Sequence, residues 1–186
     1  MMLFDLPKTL TVGGQEWEIR TDYRDILTVM SAFDDPNLES AEKAFVCLKI
    51  MYPDFENMPE SLYNEAFQAA INFIDYGKGD EGRGVKTMDW EQDAPLLFPA
   101  VNKVAGREIR SVEYMHWWTF MGLFMEIQDG IYATVLSLRS KKANHKKLEK
   151  WEQEWWQKNV SICKIKPRYS DAEKAEQERL KALLGG

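Results

Sequence analysis

SVEYMHWWTFMGLFMEI, residues 111–127, is the most apolar stretch of this chain. Ser111 stands where an N-cap belongs, so a helix over about 112–128 is expected. Met115, Trp118, Leu123 and Ile127 have apolar neighbours on almost every side of such a helix. A helix apolar all round is enclosed by other elements, so this one belongs at the centre of a core. His116, Trp117, Trp118, Phe120, Leu123 and Phe124 are its candidate core residues. Neighbours on a helix point about 100° apart, so at least one of Trp117 and Trp118 must be buried.

Helical spacing continues on both sides. Upstream, Tyr23, Ile26, Leu27 and Met30 form one stripe, ended by Asp34-Asp35-Pro36-Asn37. A second helix over about 38–52 stops at Pro53, and a third begins near Pro59. The spacing predicts a helix over about 88–105, capped by Thr87, with Trp90 on its apolar face and Pro95 well inside it. Downstream, Asp129-Gly130 breaks the pattern and a short helix follows over 131–140. Residues 143–159 read as a charged helix whose stripe is Leu148, Trp151 and Trp155. VSICKIKPRY (160–169) reads as irregular, and Ser170 with Glu173 offers a capping box for a last helix with a thin apolar stripe. One segment departs from the pattern. TLTVGGQEWEI (9–19) is two short runs around Gly13-Gly14, a hairpin signature, with Trp17 and Ile19 facing the helices.

The expected fold is therefore mainly α: about six to seven helices with an N-terminal β-hairpin. Residues 1–160 are expected to form the helical domain, with the Gly-rich linker 77–86 inside it. Residues 161–186 read as a basic connector and a weakly held C-terminal helix.

Composition narrows the class. The 186 residues are 45% hydrophobic and 29% charged, ordinary for a globular protein. No run of 18 apolar residues suggests a membrane span, and MMLFDLPKTL does not read as a secretory leader. Cys47 and Cys163 form no metal spacing, and two reduced thiols fit a cytoplasmic protein. Charge is uneven. Residues 1–100 carry 8 basic and 19 acidic side chains, and residues 101–186 carry 16 and 11. Between 139 and 168 there are 10 basic and 3 acidic residues. An acidic balance overall disfavours nucleic-acid binding, while this local stretch with its tryptophans has the charge and rings that single-strand binders use.

Motifs of catalysis are missing from the sequence. GKGDEGRG (77–84) follows a predicted helix, whereas nucleotide-binding glycines follow a strand. There is no HExxH or GxSxG, and two histidines, His116 and His145, leave no room for a His-only metal site. Asp89 and Asp93 share a helix face and could hold a cation, but acids in a first turn more often complement the helix dipole. No catalytic residue, metal or cofactor is expected.

Two blocks, MDWEQDAPLLFPAV (88–101) and VEYMHWWTFMGLFMEI (112–127), followed by VLSLRSKK (135–142), resemble the bacteriophage family called Gp-fifteen. The resemblance covers roughly 9–160 and implies a protein of long-tailed phages or prophages. Genes of that family tend to lie between those for the major tail protein and the tape-measure protein. It therefore implies a non-enzymatic tail assembly chaperone in the cytoplasm of an infected or lysogenic host. The implied partners are the tape-measure protein and the major tail protein, with a homo-oligomer also open. Candidate partner-binding residues are Trp151, Trp155 and Trp156, with Leu180, Leu183 and Leu184 of the last helix. Two alternatives remain on the residues: a nucleic-acid accessory protein using 139–168, and an enzyme with a dispersed site of Asp89, Glu91, Asp93 and His116.

Overall fold

Gly13 and Gly14 both adopt positive φ, 59° and 74°, which closes a two-residue turn between β1 (Thr9–Val12) and β2 (Gln15–Glu18). The computed structural model describes residues 5–76 and 85–184. Among these, the antiparallel hairpin is the only sheet, with Leu10 opposite Trp17. Val12 and Ile19 are buried, and the turn is fixed by the Gly13 N–H donating to Glu65 Oε1 at 2.9 Å.

The other regular elements are helical. Nine α-helices follow among the described residues: α1 (Tyr23–Phe33), α2 (Ser40–Met51), α3 (Tyr63–Ile74), α4 (Ala94–Ala105), α5 (Trp117–Met125), α6 (Gly130–Ala143), α7 (Lys150–Lys158), α8 (Val160–Cys163) and α9 (Asp171–Leu183). The main packing runs in one sequence. The hairpin lies on α3, α3 on α2, α2 on α1, α1 on α5, α5 on α4, α4 on α6, α6 on α8 and α8 on α7. The mainly helical class with an N-terminal hairpin holds. The number of helices exceeds six to seven, partly because residues 160–163 make a helical turn where the sequence reads as irregular.

Several boundaries move, each for a local reason. The helix expected over 88–105 starts at Ala94. Asp89 caps a turn ahead of it by accepting the N–H groups of Glu91 and Gln92. Pro95 thus falls in the first turn, where its missing N–H costs nothing, and Pro99 is the proline inside the helix. The third helix starts at Tyr63, preceded by a 3-10 turn over Glu60–Leu62. The central helix begins at Trp117, and its N-cap is His116, not Ser111. His116 is extended instead and bridges to Asp22 just ahead of α1: the Tyr23 N–H donates to the Met115 carbonyl at 3.0 Å and the Trp117 N–H to the Thr21 carbonyl at 2.7 Å. The linker 77–86 lies almost wholly outside the described residues.

Candidate functional site

Trp117 and Phe120 are buried at the centre, with Tyr23 stacked on Phe120 at 4.8 Å and Trp90 edge-on to Trp117 at 5.9 Å. Trp17, Trp90, Trp118, Leu123 and Phe124 are partly buried and pack against this core. Each polar atom of the His-Trp-Trp triplet has a backbone partner. The His116 Nδ1 accepts the Trp118 N–H at 3.0 Å, so the proton is on Nε2, which donates to the Pro7 carbonyl at 2.9 Å. The two indoles donate to consecutive carbonyls at the end of α3, Trp117 to Ile74 at 2.9 Å and Trp118 to Phe73 at 3.0 Å. These are carbonyls that a helix C-terminus leaves without intrahelical partners. Burial pushes the His116 pKa down, favouring the neutral imidazole that this tautomer requires.

The acidic turn before α4 holds a second arrangement. Arg139 of α6 is 6% exposed and Asp93 2% exposed, and they form a two-pronged ion pair at 2.6 and 2.9 Å. The guanidinium's other donors reach the carbonyls of Cys163 at 2.8 Å, Ile162 at 2.9 Å and Thr87 at 3.2 Å. Five N–H groups thus meet five acceptor contacts, which is the condition for a buried ion pair to be tolerated. Beside it, Asp89 is buried and accepts from Arg168 at 2.7 and 3.2 Å. Burial would raise the Asp89 carboxyl, but Arg168, the Gln92 N–H and Lys86 outweigh it and hold it well below the usual range. Gln92 completes the strap. Its amide donates to the Lys166 carbonyl and accepts the Lys166 N–H, both at 2.9 Å. The connector 162–168 is therefore fastened to the turn 89–93.

Asp89, Glu91, Asp93 and His116 do not form one site. Asp89 and Glu91 bind Arg168, Asp93 binds Arg139, and both ring nitrogens of His116 are engaged elsewhere. Among the described residues, no group of three His, Cys, Asp or Glu is placed to hold a metal ion. Arg139, Arg168, Gln92 and Lys166 are the residues that reading the sequence missed. The only signal was that Glu-Gln-Asp-Ala and Leu-Arg-Ser recur in the resemblance.

The candidate partner surface is split in character. Trp151 is 56% exposed, its indole N–H donating to Glu149 Oε2 at 2.9 Å. Trp155 and Trp156 are half-buried, and Lys142 Nζ lies 4.5 Å from the centre of the Trp156 ring. The inward-facing residue of α7 is Glu152, buried and bound to Lys141 at 2.5 Å. Every residue of α9 is exposed, with Leu180, Leu183 and Leu184 at 47, 72 and 85%. The start of α9 is held by its Ser170–Glu173 capping box and by the Asp171 N–H donating to Asn37 Oδ1 at 2.8 Å. No helix among the described residues is long and apolar enough to cross a membrane.

Residues 3–165 match the family model described as Bacteriophage Gp15 protein, and the chain belongs to that family. No curated protein and no solved structure matches it.

Proposed function

We propose that this phage protein is a non-enzymatic tail assembly chaperone that holds the tape-measure protein during tail morphogenesis in the host cytoplasm, with the major tail protein as a second partner. The observation that carries the proposal is α9: a well-capped helix that buries none of its own residues and ends in three exposed leucines. A capped helix of this length is marginal in water without a packing partner. An apolar end on a charged helix suits capture of another helix's apolar face. Trp151 adds an exposed ring of the type that anchors protein contacts.

Coexpression with the tape-measure protein of the same phage tests this. The unmodified chain should keep it in the soluble fraction. Leu180→Ser, Leu183→Ser and Leu184→Ser together, with Trp151→Ala, should lose that ability while circular dichroism of the domain stays native. Aggregation of the tape-measure protein in the presence of the unmodified chain would overturn the proposal.

A further inference from the structure

We propose that copies of this chain associate head to tail, the basic face around α7 of one copy seating on the acidic face around residues 54–65 of the next. This goes beyond the chaperone reading and does not rest on it. Residues 5–76 expose ten acidic and only three basic side chains. Asp54, Glu56, Glu60 and Glu65 crowd the 3-10 turns and the start of α3, and Lys49, 3.7 Å from Glu56, is the cation paired there. At the other end of the packing sequence, Lys146, Lys147, Lys150, Lys158, Lys164 and Lys166 are all exposed. Among the described residues none of the six enters an ion pair.

Of the acids at that end, only Glu149 and Glu154 stand exposed on α7 and its cap, against the six exposed lysines. Asp93, Asp89 and Glu152 are buried against Arg139, Arg168 and Lys141. The lysines are therefore surplus positive charge, and the matching surplus of negative charge is on this chain's own head. Lys147 and Lys150 also flank an open depression of about 570 Å³ over Leu148, lined besides by Glu149 and Gln153, into which a side chain of the next copy can reach. The two patches are different surfaces of one molecule, so the contact is heterologous and each added copy presents a fresh patch.

Sedimentation velocity of the full chain tests the proposal. At about 50 mM salt the mass should rise with concentration, and at about 500 mM the apparent affinity should fall at least about tenfold as the charges are screened. Lys146→Glu with Lys147→Glu and Lys150→Glu should be monomeric at low salt. So should Asp54→Lys with Glu56→Lys and Glu60→Lys. Mixing the two should restore association, because the first keeps a native head and the second a native tail. A monomer at every concentration in low salt would overturn the proposal. So would assembly indifferent to both charge reversals, or lysines that bind a single-stranded oligonucleotide while the chain stays monomeric.

Discussion

Arg139→Met is the sharpest test of the strap. The methionine keeps an apolar stem of similar bulk but removes every donor. Asp93, 2% exposed, would lose both prongs of its partner, and the carbonyls of Thr87, Ile162 and Cys163 would lose a donor each. Removing one member of a buried ion pair costs about 3–5 kcal/mol, because the remaining charge stays out of water. In a domain of this size each kcal/mol moves Tm by about 2–4 °C, so a fall of roughly 6–20 °C is expected by calorimetry. Adding Asp93→Asn removes the stranded charge, so the double variant should be less destabilised than the two single effects combined, by about 0.5–3 kcal/mol. Hydrogen exchange gives a second readout. The Lys166 N–H, which donates to Gln92, should lose protection when the connector is released from Arg139. An Arg139→Met protein within about 1 kcal/mol of the parent in urea unfolding would refute the reasoning, since a surface ion pair has that value.

Three further outcomes are expected. Gly13→Ala should destabilise more than Gly14→Ala in thermal unfolding: both pay about 1–2 kcal/mol for a side chain at positive φ, but only at Gly13 would the new Cβ meet Leu62 Cδ2, at 2.8 Å. Asp89→Asn should remove a pH-dependent contribution. Its folded pKa is depressed, so the stabilisation is present above the unfolded value of about 4 and is lost as pH falls towards the folded one. The Tm difference between parent and variant should therefore shrink on acidification, and a difference constant with pH would refute it. His116→Asn should retain more stability than His116→Ala, by about 0.5–2 kcal/mol in urea unfolding, because asparagine can accept the Trp118 N–H as an N-cap.

The fold was legible where a signal is local. The Gly13-Gly14 turn and α1 are read directly, because turn chemistry and a stripe of period 3.6 depend on neighbours in sequence. The start of α5 was not legible. Ser111 is a sound N-cap by type, yet His116 is drawn into an extended bridge with Asp22, about ninety residues away in sequence. Tertiary pairing overrides the local preference there, and His116 caps the helix through Nδ1 while its Nε2 reaches Pro7. Ion pairs escape a sequence reading for the same reason. Asp93 and Arg139 are 46 residues apart, so charge periodicity sees two separate solvated faces where the fold makes one buried contact.

The helix α7 shows how the stripe rule fails, and the failure bears on function. Leu148, Trp151 and Trp155 have helical spacing, but the helix begins only at Lys150, with Glu149 as its cap. Leu148 is buried from the preceding loop, so it does not set the helix's inner face. What turns inward is Glu152, drawn in by Lys141 and by the Glu149 N–H that its other oxygen accepts. A polar inner face rotates Trp151 into solvent. Burying that ring inward would have stabilised the domain through its apolar area, at about 25 cal/mol per Å². This chain instead has a carboxylate at the inward position and leaves the indole outside, its N–H donating to Glu149. The carboxylate serves the domain through its ion pair and its part in the capping box, whereas the exposed indole fits the proposed partner surface.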